Sequence, residues 1–256
     1  MKVSSPHIRC IAKTSADFNA IQEFLDSESV EWKKSADSNG CDDLIEFSGR
    51  ICYMSFGDRQ SPKNNKQYIR NLIDSGHGSV LEHVNWTFVA SGVSRGFTHQ
   101  LVRHRAGFSY SQLSQQYYDE SDADFVAPPS LKKDTPLYKK WLKGMHSSVK
   151  LYRELIKSAE ELSISPFFSN KERLRELRTT ARSILPNAIE TKIVFTANAR
   201  AIRNFLVTRG AIEGDWEMRD VSSQILRIVQ KDAPSLFQDF EIFTLADGSC
   251  SVIKQS

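Results

Sequence analysis

Long apolar runs are absent from this sequence of 256 residues. The longest, such as Ile193-Val194-Phe195, fall far short of the roughly 20 apolar residues that a membrane-spanning helix needs. The first residues, Met1-Lys2-Val3-Ser4, lead into no apolar signal-peptide core. We therefore expect a protein of the cytoplasm that has no membrane partner.

The sequence also has little cysteine and little net charge. Its four cysteines, Cys10, Cys41, Cys52 and Cys250, form no CxxC pair. They indicate neither a zinc site nor a disulfide framework, and we expect free thiols. The formal net charge is only +3, so no overall excess of Lys and Arg demands a nucleic acid or an acidic membrane as partner.

The composition that remains is typical of a globular protein, with 40% hydrophobic and 25% charged residues. A chain of this length can bury a sizeable core in one large domain or two small ones. The sequence contains no internal repeat. The mixed order of predicted helices and strands favours one α+β domain over residues 1–256.

Apolar periodicity places the predicted elements along the chain. Strands are predicted at 84–92 and 189–196, where β-branched and aromatic residues gather. Residues 33–41 are predicted to form a loop and 163–166 a turn. Helices are predicted at 18–25 with Ser15 as a possible cap, at 68–73 closed by Gly76, and at 93–101, 137–162, 170–185, 199–209 and 215–231.

Histidine and arginine concentrate in one region of the sequence. The histidine spacing there does not match the pairs one helical turn apart of zinc motifs, so we predict no metal site. RNA readers normally add an aromatic stacking platform or a known module signature, and neither is present. Phosphate binding by arginine forks and a solvated basic helix end both fit this pattern. The residues concerned are His77, His83, Arg95, His99, Arg103, His104 and Arg105.

Five segments resemble the motifs of one enzyme family, the flavin-dependent thymidylate synthases. The strongest is Arg103-His104-Arg105 followed by Ser114, which is similar to the family's RHR...S signature for flavin and nucleotide binding. The matches keep the family's order from about residue 49 to about residue 219. The other four are Gly49–Tyr53 (ARxSY-like), Gly76–His83 (GHxSxxEH), Ala181–Pro186 (ARxxLP) and Asn198–Phe205 (NARxxxxF).

The resemblance implies two sets of site residues and one catalytic residue. Arg209 would face the uracil ring, where a cation favours the N3-deprotonated, more nucleophilic base. The residues that would bind FAD are Ser79, Arg103, His104, Arg105, Gln112, Asn198, Arg200 and Asn204. Those that would bind the nucleotide are Arg95, Gln100, Arg103, Gln112, Leu113, Ser114, Gln115, Gln116, Arg182 and Arg209.

The resemblance also implies a fold and a reaction. The fold would be α+β, with a central, mostly antiparallel sheet flanked by helices, assembled as a homotetramer whose sites combine several subunits. The reaction would be the reductive methylation of dUMP at C5 to dTMP. Methylenetetrahydrofolate would supply the one-carbon unit and NADPH would reduce FAD. The expected partners are therefore these small molecules and further copies of the chain.

Two departures from the family pattern matter. Eight residues separate Arg105 from Ser114, one more than in the common form, and we expect Ala106-Gly107-Phe108 to absorb the extra residue, since Gly107 can adopt unusual dihedral angles. Gln116 stands where the family usually has Arg, so one cation that contacts the nucleotide is missing. This loss leaves open an alternative substrate, in which the enzyme methylates UMP or a related uracil nucleotide at C5.

Overall fold

Two strands pass directly into helices in a computed structural model of the chain. The structure describes residues 2–36, 38–158 and 169–255. These residues form an α+β fold with eight α-helices, eight strands and two short 3-10 helices, Gly57–Arg59 and Val80–His83. The helices are α1 (Phe18–Ser27), α2 (Gly40–Ile51), α3 (Asn65–Asp74), α4 (Arg95–Leu101), α5 (Pro136–Lys157), α6 (Asn170–Arg182), α7 (Ala199–Arg209) and α8 (Trp216–Asp232). The strands are β1 (Val3–Ser4), β2 (His7–Lys13), β3 (Asn85–Ser94), β4 (Phe108–Gln112), β5 (Phe125–Val126), β6 (Glu190–Asn198), β7 (Phe240–Thr244) and β8 (Cys250–Lys254).

The main sheet has four strands in the order β2-β3-β6-β4. Backbone hydrogen bonds from Leu113 N to Lys192 O and from Asn198 N to Gly107 O show that β4 runs antiparallel to β6. Short pairs accompany it, with β1 parallel to β5 and β7 antiparallel to β8. The prediction of a mostly antiparallel sheet with helices is thus confirmed, whereas assembly as a homotetramer stays a prediction.

The described residues gather into two compact units. The prediction of a single domain over residues 1–256 stays a prediction. The first unit takes the described residues of Met1–His7, Ala90–Arg103 and Tyr110–Val194. The second takes those of Ile8–Val89, His104–Ser109 and Phe195–Ser256.

In the first unit, β3 ends where α4 begins. Ser94 is both the last strand residue and the helix N-cap, and its hydroxyl accepts from Phe97 N at 2.9 Å. The first helical amide, Arg95 N, donates to Ile189 O at 3.0 Å. These bonds fix the backbone of Arg95 at the start of α4.

In the second unit, β6 ends where α7 begins in the same manner. Asn198 caps the helix by accepting from Ala201 N at 2.8 Å. The first helical amide, Ala199 N, donates to Val84 O at 2.9 Å. These bonds satisfy amides that a helix start otherwise leaves unpaired.

Each unit has its own core. In the first, Phe125, Val149 and Ile189 form a buried cluster against which Trp141 packs. In the second, alternate residues of β3 point inward, and the rings of Phe88 and Phe195 lie 5.2 Å apart. This alternation follows from the two-residue period of a strand.

A buried ion pair anchors α7 in the second unit. Two nitrogens of Arg203 donate to the two carboxylate oxygens of Asp239 at 2.7 and 2.6 Å. The side chains of Arg203 and Asp239 are only 9% and 3% exposed, so each charge depends on the other for compensation.

The structure corrects several predicted boundaries. Asp17, rather than Ser15, caps α1, because its carboxylate accepts from Asn19 N and Ala20 N. Val93 belongs to β3 rather than to the helix, since the strand continues to Ser94. The predicted loop at 33–41 ends early, because Asn39 caps a helix that begins at Gly40. Helix α6 ends at Arg182, short of the predicted residue 185.

Two other predicted helix boundaries agree with the structure. The bounds of α7, residues 199–209, are those predicted, and Gly76 follows α3 with φ 71° as a helix-terminating glycine does. The predicted helix at 137–162 is present up to Lys157, while its final residues and the turn at 163–166 lie outside the described residues. The four cysteines carry free thiols. None of the helices described is long and apolar enough to cross a membrane.

Candidate active site

The first unit contains a cavity of about 350 Å³. One face of α4 forms a wall of it, because Arg95, Thr98, His99 and Val102 follow the i, i+3, i+4, i+7 spacing of a helix face. The volume lies within the range of small-molecule pockets. The remaining lining residues are Gln112, Gln115, Leu185, Pro186, Asn187 and Ile189.

Arg95 is the cation in the wall of this cavity. Its Nη1 donates to Leu113 O at 3.2 Å, which orients the guanidinium. Burial lowers the pKa of the Arg95 guanidinium, the carboxylate of Glu120 raises it, and the like charge of Arg182 lowers it again. Two arginines with one nearby carboxylate leave positive charge for an anionic ligand to neutralise.

Two glutamines complete the polar side of the cavity. Gln112 Nε2 donates to Thr98 Oγ1 at 2.8 Å, so the amide has a fixed orientation. Gln115 is buried and bonds to the carboxylate of Glu120. Burial raises the pKa of Glu120, and the Gln115 bond and the charge of Arg95 oppose the rise.

Gln116 is held by α6. Its Nε2 donates to Thr179 Oγ1 at 3.1 Å, away from the residues that line the cavity. The same helix contacts the next residue, because Arg178 Nη1 donates to Tyr117 O at 2.7 Å and the guanidinium of Arg175 lies 4.8 Å from the Tyr117 ring. Helix α6 thus contacts both Gln116 and Tyr117.

The cavity brings together only part of the predicted nucleotide set of this unit. Arg95, Gln112 and Gln115 line it. Leu113 lies outside it but accepts from Arg95 through its carbonyl oxygen, and the carbonyl oxygen of Ser114 accepts from Tyr117 N and Tyr118 N in a local turn. The predicted residues that do not line the cavity are Gln100, Arg103, Leu113, Ser114, Gln116 and Arg182.

In the second unit, Arg200 lies against the Gly76–His83 segment. Its Nη1 pairs with Glu82 Oε1 at 2.7 Å, and both side chains are exposed. A Cβ at Gly78 would lie 2.9 Å from Arg200 Nε, so a larger residue at position 78 would require the Arg200 side chain to move. Ser79, next along the chain, is exposed and makes no side-chain cap bond.

The loop before β4 approaches the start of α7. Gly107 has φ 73°, a left-handed conformation that suits glycine, and Phe108 N donates to Arg105 O to close the turn. A Cβ at Gly107 would lie 2.7 Å from Asn198 Nδ2. Asn198 therefore serves as a helix cap packed on this loop, while Arg105 and the predicted residue Asn204 are exposed.

His104 and Arg209 contact each other directly. Arg209 Nε donates to His104 Nε2 at 3.1 Å, and Arg209 is partly buried at the end of α7. Burial and the positive charge of Arg209 lower the pKa of His104. The imidazole is therefore neutral at neutral pH and accepts through Nε2.

The sequence motifs did not include every residue of the cavity. Thr98 and Asn187 line it without belonging to a predicted set, and Glu120 influences it from a buried position. Helical spacing from Arg95 identifies Thr98, but only the fold brings Asn187 there. Among the described residues, no group of three or more His, Cys, Asp or Glu is placed to hold a metal ion.

An arginine in the wall of a cavity provides a site at which a small anionic ligand can bind. Comparison with known proteins identifies an enzyme family. Residues 35–235 match the family model described as "Thymidylate synthase complementing protein", Thy1.

Relatives match almost the whole chain. The flavin-dependent thymidylate synthase of Mycolicibacterium gilvum is 40% identical over 250 residues, covering 97% of this chain and 95% of its own. That of Mycobacterium avium is 41% identical with the same coverage. That of Corynebacterium glutamicum is 40% identical, covering 93% of this chain and 94% of its own. The chain belongs to the flavin-dependent thymidylate synthase family, a family of methyltransferase enzymes, as the motifs indicated.

Proposed function

We propose that the protein converts dUMP to dTMP, with methylenetetrahydrofolate as the one-carbon donor and NADPH as the reductant of bound FAD. The observation that carries the proposal is the cavity of about 350 Å³ walled by Arg95, Gln112 and Gln115, three residues of the nucleotide set. Membership of the family supplies the reaction class.

Arg95 and Arg182 hold the nucleotide phosphate in this proposal. Arg95 is already oriented through Leu113 O, so less conformational freedom is lost when it binds the anion. Its planar fork engages two phosphate oxygens at once. Gln112, fixed by Thr98, offers its remaining amide atoms for hydrogen bonds that orient the substrate.

The second unit contains donors that fit a flavin dinucleotide. Arg105 and Arg200 are exposed cations, and the missing Cβ of Gly78 leaves the guanidinium of Arg200 close to the backbone beside Ser79. The exposed pair of Arg200 with Glu82 contributes little stability, so a phosphate can replace the carboxylate. FAD, when bound, supplies the hydride chemistry that these side chains lack.

Arg209 is the catalytic residue of the proposal. Its guanidinium stabilises negative charge as that charge develops on the uracil ring, which lowers the barrier rather than merely improving affinity. Two of the cysteines are poor candidates for a nucleophile that attacks the uracil ring. Burial raises the pKa of Cys41 to about 11 and also raises the pKa of Cys10, which leaves little thiolate at neutral pH.

Assembly as a homotetramer belongs to the same proposal. The motif residues are spread along the chain from Gly49 to Arg209, and closed symmetric assemblies are the usual way to repeat a shared site. Light scattering tests this point, and full activity in a monomer would contradict it.

The experiment that tests the proposed function begins with the colour of the purified protein. We expect a yellow protein whose FAD is released on denaturation, and formation of dTMP from dUMP in the presence of methylenetetrahydrofolate and NADPH. A protein that cannot be reconstituted with FAD, or a reconstituted one that forms no methylated nucleotide, would refute the proposal.

One observation favours a second substrate. Gln116 replaces a cation, and its amide donates to Thr179. Losing a charge-assisted hydrogen bond to the nucleotide costs about 1.5–3 kcal/mol, which is enough to change substrate preference. The assay is therefore run with UMP beside dUMP, and a higher kcat/KM for UMP would make C5 methylation of UMP the function.

A further inference from the structure

The contact between His104 and Arg209 defines the state of both side chains. A guanidinium has only donors, so Arg209 Nε can bond to His104 Nε2 only if that nitrogen carries a lone pair. The imidazole must then be neutral, with its proton on Nδ1. A protonated ring would lose the bond and place a second cation 3.1 Å from the first.

Two aromatic rings fix the imidazole. Phe205 meets it edge to face, with centroids 5.2 Å apart and planes at 77°, and Phe108 lies 6.0 Å away. Phe205 precedes Arg209 by one turn of α7, so the helix provides both the ring that packs on His104 and the group that donates to it.

The bond uses Nε of Arg209, at the inner edge of the guanidinium. It thereby sets the direction of the planar fork formed by the two Nη groups, which is the part suited to a carbonyl or a delocalised anion. A freely rotating arginine would lose more conformational entropy on meeting the same ligand.

We infer that His104 is a positioning residue for catalysis, which holds the Arg209 fork in the direction needed for the uracil ring. This inference rests on the proposed function for the identity of the ligand. It differs from the flavin contact that the family resemblance implies for His104, because the ring nitrogen that faces α7 is already occupied by Arg209.

The inference gives the wild-type enzyme an acidic limit. The positive charge of Arg209 acts on His104, whereas the rings of Phe108 and Phe205 that pack near it carry no charge. The pKa of His104 is lowered, so the contact is present above that lowered value and is lost as the pH falls through it. Methyl transfer should fall over the same interval.

The test compares His104→Gln with His104→Phe. Gln presents an acceptor near the position of Nε2 and does not titrate, while Phe keeps the ring packing and has no acceptor. We expect His104→Phe to slow single-turnover methyl transfer roughly tenfold or more at saturating dUMP, the effect of losing one hydrogen bond to a charged group. His104→Gln should stay within about threefold of the wild type and lose the acidic limit.

Two further measurements separate positioning from a merely structural role. FAD content should match the wild type in both variants and in the control His146→Phe, which changes an exposed histidine of α5. In an Arg209→Ala background, His104→Phe should cause little additional loss, since the donor to His104 is already gone. Flavin loss with a wild-type rate after FAD is restored, or additive losses in the double variant, would overturn the inference.

Failure of the proposed function can be distinguished from failure of the inference about His104. A wild-type enzyme that binds FAD but does not methylate dUMP refutes the function. The double-mutant cycle is then measured on the dissociation constant of dUMP and on the thermal midpoint of the protein without nucleotide. Additivity in both would overturn the contact itself.

Discussion

Arg95→Ala is the change that most directly probes the cavity. The wild-type side chain is partly buried, lines the cavity and donates to Leu113 O. A hydrogen bond to a charged group contributes about 1.5–3 kcal/mol, so the dissociation constant of dUMP should rise by about 10- to 150-fold. Arg95→Lys keeps the charge but loses the planar fork, so its dissociation constant for dUMP should lie between those of the wild type and Arg95→Ala.

The assay is equilibrium dialysis of dUMP against the protein reconstituted with FAD. Arg173→Ala is the matched control, because Arg173 is an exposed arginine of α6 in the same unit. Loss of the bond to Leu113 O should reduce stability by only about 0.5–1.5 kcal/mol, so the variant remains folded. Circular dichroism melting checks that point.

An unchanged dissociation constant for dUMP in a folded Arg95→Ala variant would refute the reasoning. The same applies if Arg173→Ala weakens dUMP binding as much as Arg95→Ala, because the effect would then reflect overall charge. A salt series distinguishes the two, since screening diminishes a long-range effect more than a direct contact.

The other predictions address catalysis and stability. Single-turnover methyl transfer at saturating nucleotide should fall in the order wild type, Arg209→Lys, Arg209→Ala with FAD content unchanged, and a wild-type rate in the Ala variant would make the residue structural. Gly107→Ala places a Cβ at a residue with φ 73° and 2.7 Å from Asn198 Nδ2, so the free energy of unfolding should fall by about 1–3 kcal/mol and the thermal midpoint by several degrees. The control Gly144→Ala, which has no atom within 4 Å of the added Cβ, should not be destabilised. Asp239→Ala leaves Arg203 buried without its partner and should lower the urea-derived free energy of unfolding by about 3–5 kcal/mol; a loss below about 1 kcal/mol would contradict the pairing.

The sequence predicted those elements whose apolar residues follow a clear period. Helix α7 is the best case, since its buried positions recur at helical spacing. Helix α2 was missed because it buries Asp42, Glu46 and Arg50, polar residues that a hydrophobic pattern assigns to the surface. Their burial depends on partners distant in the sequence, such as Ser235 N and Leu236 N, which donate to the Asp42 carboxylate at 2.9 and 3.1 Å.

The sequence likewise predicted some features of the candidate site and not others. Motif spacing selected Arg95, Gln112 and Gln115, which share a cavity. Spacing could not show that His104 and Arg209, 105 positions apart, are hydrogen-bonded. A motif identifies residue types and their order, whereas a contact of this kind exists only after the sheet has brought a loop and a helix together.

The direct passage of β3 into α4 and of β6 into α7 determines where the chain can change in length. One residue inserted at either junction would turn the helix by about 100° relative to its strand and move Arg95 or Arg209 off its face. The turn at Gly107 has no such constraint, because its glycine accepts a left-handed conformation. Insertions and deletions among relatives should therefore collect in that turn and be absent from the two junctions.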